Sequence, residues 1–142
     1  MKSIFTIGHS TRSFEEFLSL LKQFKISILV DVRRFPTSKL EHFKKEKLED
    51  FLKREGIEYI YLGEKLGGYR KGGYKRYIET EEFMEGIKEL EKIAEKGRTA
   101  IMCAEKFPWR CHRKYISMVL EKRGWKVAHI LDHERVWIPK RK

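Results

Sequence analysis

Residues 99–113 read Thr99-Ala-Ile-Met-Cys103-Ala-Glu-Lys-Phe-Pro-Trp-Arg110-Cys111-His112-Arg113, and the order of residue types here decides the fold. An apolar run stops at a thiol. A short loop follows, and a helix is expected from about Arg110–Cys111 to Arg123, with Gly124 as its stop. The same strand–loop–helix unit recurs upstream. Ile4 to Ile7 is a short apolar run. Ser13 then caps a helix, with Glu16 closing the capping box and Phe14, Phe17, Leu18 and Leu21 on one face. Ile28-Leu29-Val30 runs on into Asp31-Val32, a buried-strand pattern that ends in charge. Leu48, Phe51 and Leu52 mark a second helix ended by Gly56, and Ile57 to Leu62 is a third strand. Thr80 caps a third helix carrying Phe83, Ile87, Leu90 and Ala94 and ending at Gly97, and Val127 to Leu131 is a fifth strand. Strands and helices in strict alternation predict a single α/β domain over residues 1–142. Its sheet is mainly parallel and five-stranded, with helices on both faces.

The residue counts agree with one domain. The chain has 142 residues, 41% of them hydrophobic, enough for one core and too few for two ordinary domains. Lysine and arginine number 32 against 21 acidic residues, a formal charge of +11. Such a charge either serves solubility alone or favours anionic partners, here a small anionic ligand or nucleic acid. No apolar run approaches the roughly 20 residues of a membrane span, so no membrane association is expected. The start, Met1 to Gly8, reads as a strand and not as a signal peptide. Two cysteines, Cys103 and Cys111, fit a reducing cytoplasm. Neither a P-loop nor a GxGxxG motif is present, and no cofactor is expected.

Ligands of parallel α/β sheets bind beyond the C-terminal strand ends. That rule gathers the polar residues of those ends into one candidate site. Cys103 stands before a helix N-terminus, where unpaired N–H groups and the helix dipole favour anions and thiolates. As a thiolate it is a candidate nucleophile, and as a thiol it simply ends a core strand. Arg110 and Arg113 are placed to clamp an oxyanion, with Glu105 and His112 beside them. Asp31 is expected either to take a proton or to hold a neighbouring arginine, Arg33 or Arg34. His9 is a candidate acid–base group, and Ser10 a candidate donor to the substrate. Cys103, Cys111, His112 and His9 have zinc-ligand chemistry but lack a CxxC pair or finger spacing, so no metal is expected. Residues 67–77 consist wholly of glycine, tyrosine, arginine and lysine. They suit a mobile lid, a nucleic-acid contact or a solvated loop.

Thr6-Ile7-Gly8-His9-Ser10-Thr11, Asp31-Val32-Arg33-Arg34-Phe35-Pro36, Leu66-Gly67-Gly68, Met102-Cys103-Ala104-Glu105-Lys106 and Cys111-His112-Arg113 occur in this order. This set resembles the uncharacterised proteins grouped as domain-of-unknown-function family 488, over nearly the whole chain. The resemblance implies a compact α/β fold and no established activity. A looser likeness is to rhodanese-type domains, which also place an Asp-x-Arg after an early strand and a cysteine after a later one. Here Asp31-Val32-Arg33 and Cys103 match that layout, whereas Glu105 sets a carboxylate near the thiol. Two functional expectations stand side by side. One is a cysteine-dependent enzyme acting on a phosphate- or sulfur-containing substrate. The other is a nucleic-acid-binding module, or an enzyme acting on nucleic acid, that uses the basic Gly/Tyr/Arg/Lys loop.

Overall fold

The backbone, described over residues 2–139 in a computed structural model, opens with β1 (Ser3–Gly8) and α1 (Phe14–Gln23). The Ser13 hydroxyl accepts the Glu16 N–H at 3.0 Å, as the capping box requires. Next come β2 (Ile28–Asp31), α2 (Lys45–Arg54), β3 (Glu58–Tyr61) and two short helices, α3 (Gly63–Leu66) and α4 (Tyr74–Tyr77). The chain continues through α5 (Glu81–Lys96), β4 (Thr99–Cys103), α6 (Arg113–Lys122), β5 (Lys126–Ile130) and β6 (Val136–Trp137).

The sheet order is β3-β2-β4-β1-β5-β6, parallel throughout except for the antiparallel pair β5–β6. Alternation along each strand divides the core in two. Ile4, Val30, Ile101 and Val127 face α5 and α6, whereas Ile7, Leu29, Met102 and Ile130 face α1 and α2. Sheet neighbours therefore send their following chain to opposite faces. After β2 the chain passes to α2 on one side, and after the adjacent β4 it passes to α6 on the other. The crevice left between such diverging loops is the usual ligand position in this architecture.

Three details differ from the sequence reading. A sixth strand, β6, pairs on the edge, and its two residues are too few to show a period. The last helix starts at Arg113, because Pro108–Arg110 first makes a 3₁₀ turn and Cys111 is extended. The glycine- and tyrosine-rich segment follows one helical turn, α3, and ends in another, α4. Gly8 explains how tightly the β4 exit loop lies on β1: a Cβ there would stand 1.7 Å from the Glu105 carbonyl oxygen.

Candidate functional site

Beyond the C-terminal ends of β2 and β4 lies a cavity of about 680 Å³. Its walls come from three stretches: Arg33 to Thr37 after β2, Gly68 to Tyr74, and Cys103 to Tyr115. Of the residues singled out from sequence, Arg33, Arg34, Cys103, Glu105, Arg110 and His112 line it. His9, Ser10, Asp31 and Arg113 stand behind that wall or beside it.

The centre is a pair of free thiols. Cys103 Sγ and Cys111 Sγ are 2.9 Å apart. Cys103 is buried, at the end of a strand whose every residue is buried. Burial first, and then the hydrogen bond with Cys111, push its pKa up, so Cys103 keeps its proton. Cys111 moves the other way, to about 6. The main cause is the hydrogen bond from Cys103; burial opposes it, and Arg113 adds to the lowering. Arg113 reaches Cys111 Sγ twice, through its backbone N–H and through Nε, each at 3.4 Å. The first of these contacts sets the sulfur against the N-terminus of α6, where negative charge is favoured.

Arg113 is 0% exposed. Its Nη1 donates to Thr6 Oγ1 at 3.0 Å, and Nη2 donates to the carbonyls of Glu105 at 2.6 Å and Lys106 at 3.2 Å. Thr6 Oγ1 is in turn hydrogen-bonded to His129 Nδ1, 2.6 Å away. Burial, and then Arg113, lower the His129 pKa to about 3, so this imidazole is neutral. Among the described residues no carboxylate forms an ion pair with Arg113. The guanidinium thus holds the exit loop of β4 by its carbonyls and faces a sulfur, not the open cavity.

Asp31 and Arg33 form a buried fork. Arg33 Nε meets Oδ1 at 2.9 Å, Nη2 meets Oδ2 at 2.7 Å, and the Arg33 N–H adds a third bond to Oδ1 at 3.0 Å. Tyr59 Oη donates to Oδ2 at 2.5 Å, and Arg33 Nη1 donates to the Phe43 carbonyl at 2.7 Å. Burial works against the Arg33 charge, yet the bonds to Asp31 outweigh it and raise its pKa. Every Asp31 oxygen is engaged, so this residue holds a neighbouring arginine. His9 stacks on Phe43 with centroids 4.3 Å apart, and its Nδ1 donates to the Ser10 carbonyl at 2.9 Å. Its Nε2 then accepts from Arg33 Nη1 at 3.5 Å. Burial lowers its pKa to about 4, which leaves a neutral ring. Ser10 has φ +49°, where the chain bends away to α1.

His112 faces the cavity. Its Nε2–H donates to the Val32 carbonyl at 2.7 Å, which ties α6 to the loop after β2 and leaves Nδ1 an unprotonated acceptor. Burial lowers its pKa. Gly68 lets the neighbouring chain lie against this ring: a Cβ there would sit 3.2 Å from Nδ1. In the loop of residues 67–77, Tyr74 Oη donates to the Leu66 carbonyl, and Tyr77 Oη donates to the Lys65 carbonyl and to Glu82. Arg70 lies over the Tyr77 ring at 4.0 Å. Tyr74, Tyr77 and Arg70 therefore pack inward, whereas Lys71 to Gly73, Lys75 and Arg76 are exposed, and Tyr69 alone of the loop's tyrosines is exposed, at 86%.

Three contributors had no sequence signal of their own. Thr6, Tyr59 and His129 lie inside strands, where their patterning is that of core or surface positions. The thiolate character of Cys111 had one faint pointer, its place two residues before an arginine that opens a helix. No group of three or more His, Cys, Asp and Glu among the described residues is arranged to hold a metal ion. No helix among them is long and apolar enough to cross a membrane. A family model described as Domain of unknown function DUF488 matches residues 13–120. Neither a curated protein nor a solved structure matches the chain.

Proposed function

We propose that this chain, which belongs to the Domain of unknown function DUF488 family, is a cysteine-dependent enzyme acting on an anionic phosphate- or sulfur-containing substrate, with Cys111 as nucleophile. The observation that carries the reading is the contact between Cys111 and the fully buried Arg113. A cation removed from water needs a counter-charge. Among the described residues, Cys111 is the one ionisable acid within hydrogen-bonding distance of this guanidinium. A thiolate at that point answers the charge and is the reactive form of the side chain.

The second thiol favours sulfur chemistry over phosphoryl transfer. In that chemistry the Cys111 thiolate attacks a substrate sulfur, and the leaving group departs with the electron pair of the broken bond. Cys103, 2.9 Å away, then loses its proton and displaces the remaining group, which forms a Cys103–Cys111 disulfide. Two external thiols, or one dithiol, return the pair to its reduced state and leave as a disulfide. A reducing cytoplasm is the compartment that suits this cycle. The rhodanese-like layout is kept in Asp31-Val32-Arg33 and in the strand-end cysteine, but the ionised sulfur is the one eight residues further on. Arg34, Arg110 and Lys114 on the cavity wall supply the attraction for an anion.

Brief treatment with iodoacetamide at pH 7, followed by mass spectrometry, tests the assignment. Cys111 should be alkylated faster than glutathione and ahead of Cys103, and added phosphate should slow it. A Cys111 that reacts no faster than glutathione, with or without phosphate, overturns the reading.

A further inference from the structure

The cavity wall combines two features, the first of which the proposed thiol chemistry leaves unused. The first is a set of outward-facing aromatic rings. Phe35, Tyr69 and Trp109 line the cavity and are 62%, 86% and 47% exposed. Large apolar side chains of this kind are seldom left in water without a purpose when they cluster around one opening. Phe35 and Tyr69 stand together on one side, with centroids 5.8 Å apart. Trp109 stands on the exit loop of β4, backed by Phe107 in a stacked pair at 5.0 Å.

The second feature is unanswered positive charge. Arg34, Arg110 and Lys114 line the same cavity, and none of them forms an ion pair among the described residues. Arg33 is different, because Asp31 neutralises it. Among the described residues, Glu105 is the one carboxylate on the wall.

From this combination we infer that the cavity binds a nucleoside phosphate, free or at the end of a single strand, with its base stacked on the Phe35, Tyr69 and Trp109 rings and its phosphate held by Arg34, Arg110 and Lys114. Aromatic faces accept any base, and guanidinium groups fork onto phosphate oxygens. The volume, about 680 Å³, lies within the roughly 300–1,000 Å³ of small-molecule sites. A bare inorganic anion would leave the rings unused, and an apolar ligand would leave the cations unused. The inference rests on the anionic-substrate part of the proposed function and names the chemical class of that substrate.

Binding is measured by calorimetry and by tryptophan quenching on the full chain carrying Cys103→Ser and Cys111→Ser. Removing both thiols separates recognition from reactivity, so an unreactive Cys111 would not disturb this test. The probes are adenosine monophosphate, a 5′-phosphorylated single-stranded pentanucleotide, adenosine and inorganic phosphate. The monophosphate, the pentanucleotide or both should bind at least tenfold more tightly than phosphate or adenosine. Equal binding of the two identifies a free nucleotide as sufficient, whereas binding of the pentanucleotide alone identifies a strand end. Trp109→Ala should weaken binding by about 5- to 150-fold, the range for loss of one stacked base. Phe35→Ala, at a more exposed position, should weaken it in the same direction without loss of fold. Arg110→Gln should weaken it and lower the salt dependence by about one counterion. Nucleotides that bind no more tightly than phosphate, or affinity unchanged in both aromatic variants, would overturn the inference.

Discussion

Replacing Cys103 with alanine removes the proton donor 2.9 Å from the Cys111 sulfur, whereas Cys103→Ser keeps a donor in its place. A hydrogen bond to an ionised group is worth about 1.5–3 kcal/mol, and about 1.36 kcal/mol corresponds to one pKa unit. Cys103 is the main cause that holds the Cys111 pKa near 6, ahead of opposing burial and of Arg113. In the alanine variant the midpoint should therefore rise by about one to two units. At pH 7 the thiolate fraction then falls from about 90% to between about half and a tenth. Reaction rate is the poorer reporter. A more basic thiolate is more nucleophilic, with a Brønsted slope of about 0.4–0.5 that returns about a 2.5- to tenfold gain per thiolate. The midpoint itself is clean. The chain has two cysteines, so each variant holds Cys111 alone, and its thiolate absorbance can be followed against pH. The serine variant should titrate near the parent value and the alanine variant one to two units higher. Equal midpoints, or both at the ordinary thiol value of about 8.5, refute the reasoning.

Asp31→Asn leaves the buried Arg33 charge without its partner and should cost about 3–5 kcal/mol of stability, read from urea unfolding. Tyr59→Phe removes one bond to the same carboxylate and should cost less, about 1.5–3 kcal/mol. Gly8→Ala drives a methyl into the Glu105 carbonyl that Arg113 holds. It should lower the melting temperature and raise the Cys111 midpoint together. Acid should weaken the fold through two histidines. His9 and His129 are buried with pKa values lowered from 6.5 to about 4 and about 3. Below pH 6.5 the unfolded chain binds protons that the native chain refuses. Stability is thus full above that pH and falls as acid is added, until the native pKa values are reached. The slope is about 1.4 kcal/mol per pH unit for each histidine, so a urea midpoint that is flat between pH 6.5 and 4.5 would count against it.

The fold was readable because its evidence is periodic. Strands such as Thr99–Cys103 and helices such as Phe14–Gln23 bury residues at fixed spacings, and Ser13 and Thr80 mark helix starts by local bonds. The helical turn Tyr74–Tyr77 escaped because tertiary bonds from its tyrosines to Lys65 and Leu66 hold it, and those partners are set by packing. The same limit applies at the site. Strand ends located Arg33 and Cys103, and the helix start that follows β4 located His112, since topology alone delivers them to one edge. Which sulfur carries charge depends on Arg113 turning inward, and that follows from the Glu105 and Lys106 carbonyls, which no residue pattern records. The sequence reading treated Arg110 and Arg113 alike, yet one is exposed on the cavity wall and the other fully buried.

The inward guanidinium also sets the thermodynamics of oxidation. A crosslink ordinarily strengthens a protein by about 2–4 kcal/mol. Joining the two sulfurs here would erase the one anion that Arg113 touches among the described residues and strand a cation in the interior, at a cost of several kcal/mol. The oxidised molecule should accordingly melt at a lower temperature than the dithiol, the reverse of the usual order. Its bond would be a loaded one, readily surrendered to a passing thiol, and the arginine would be what loads it.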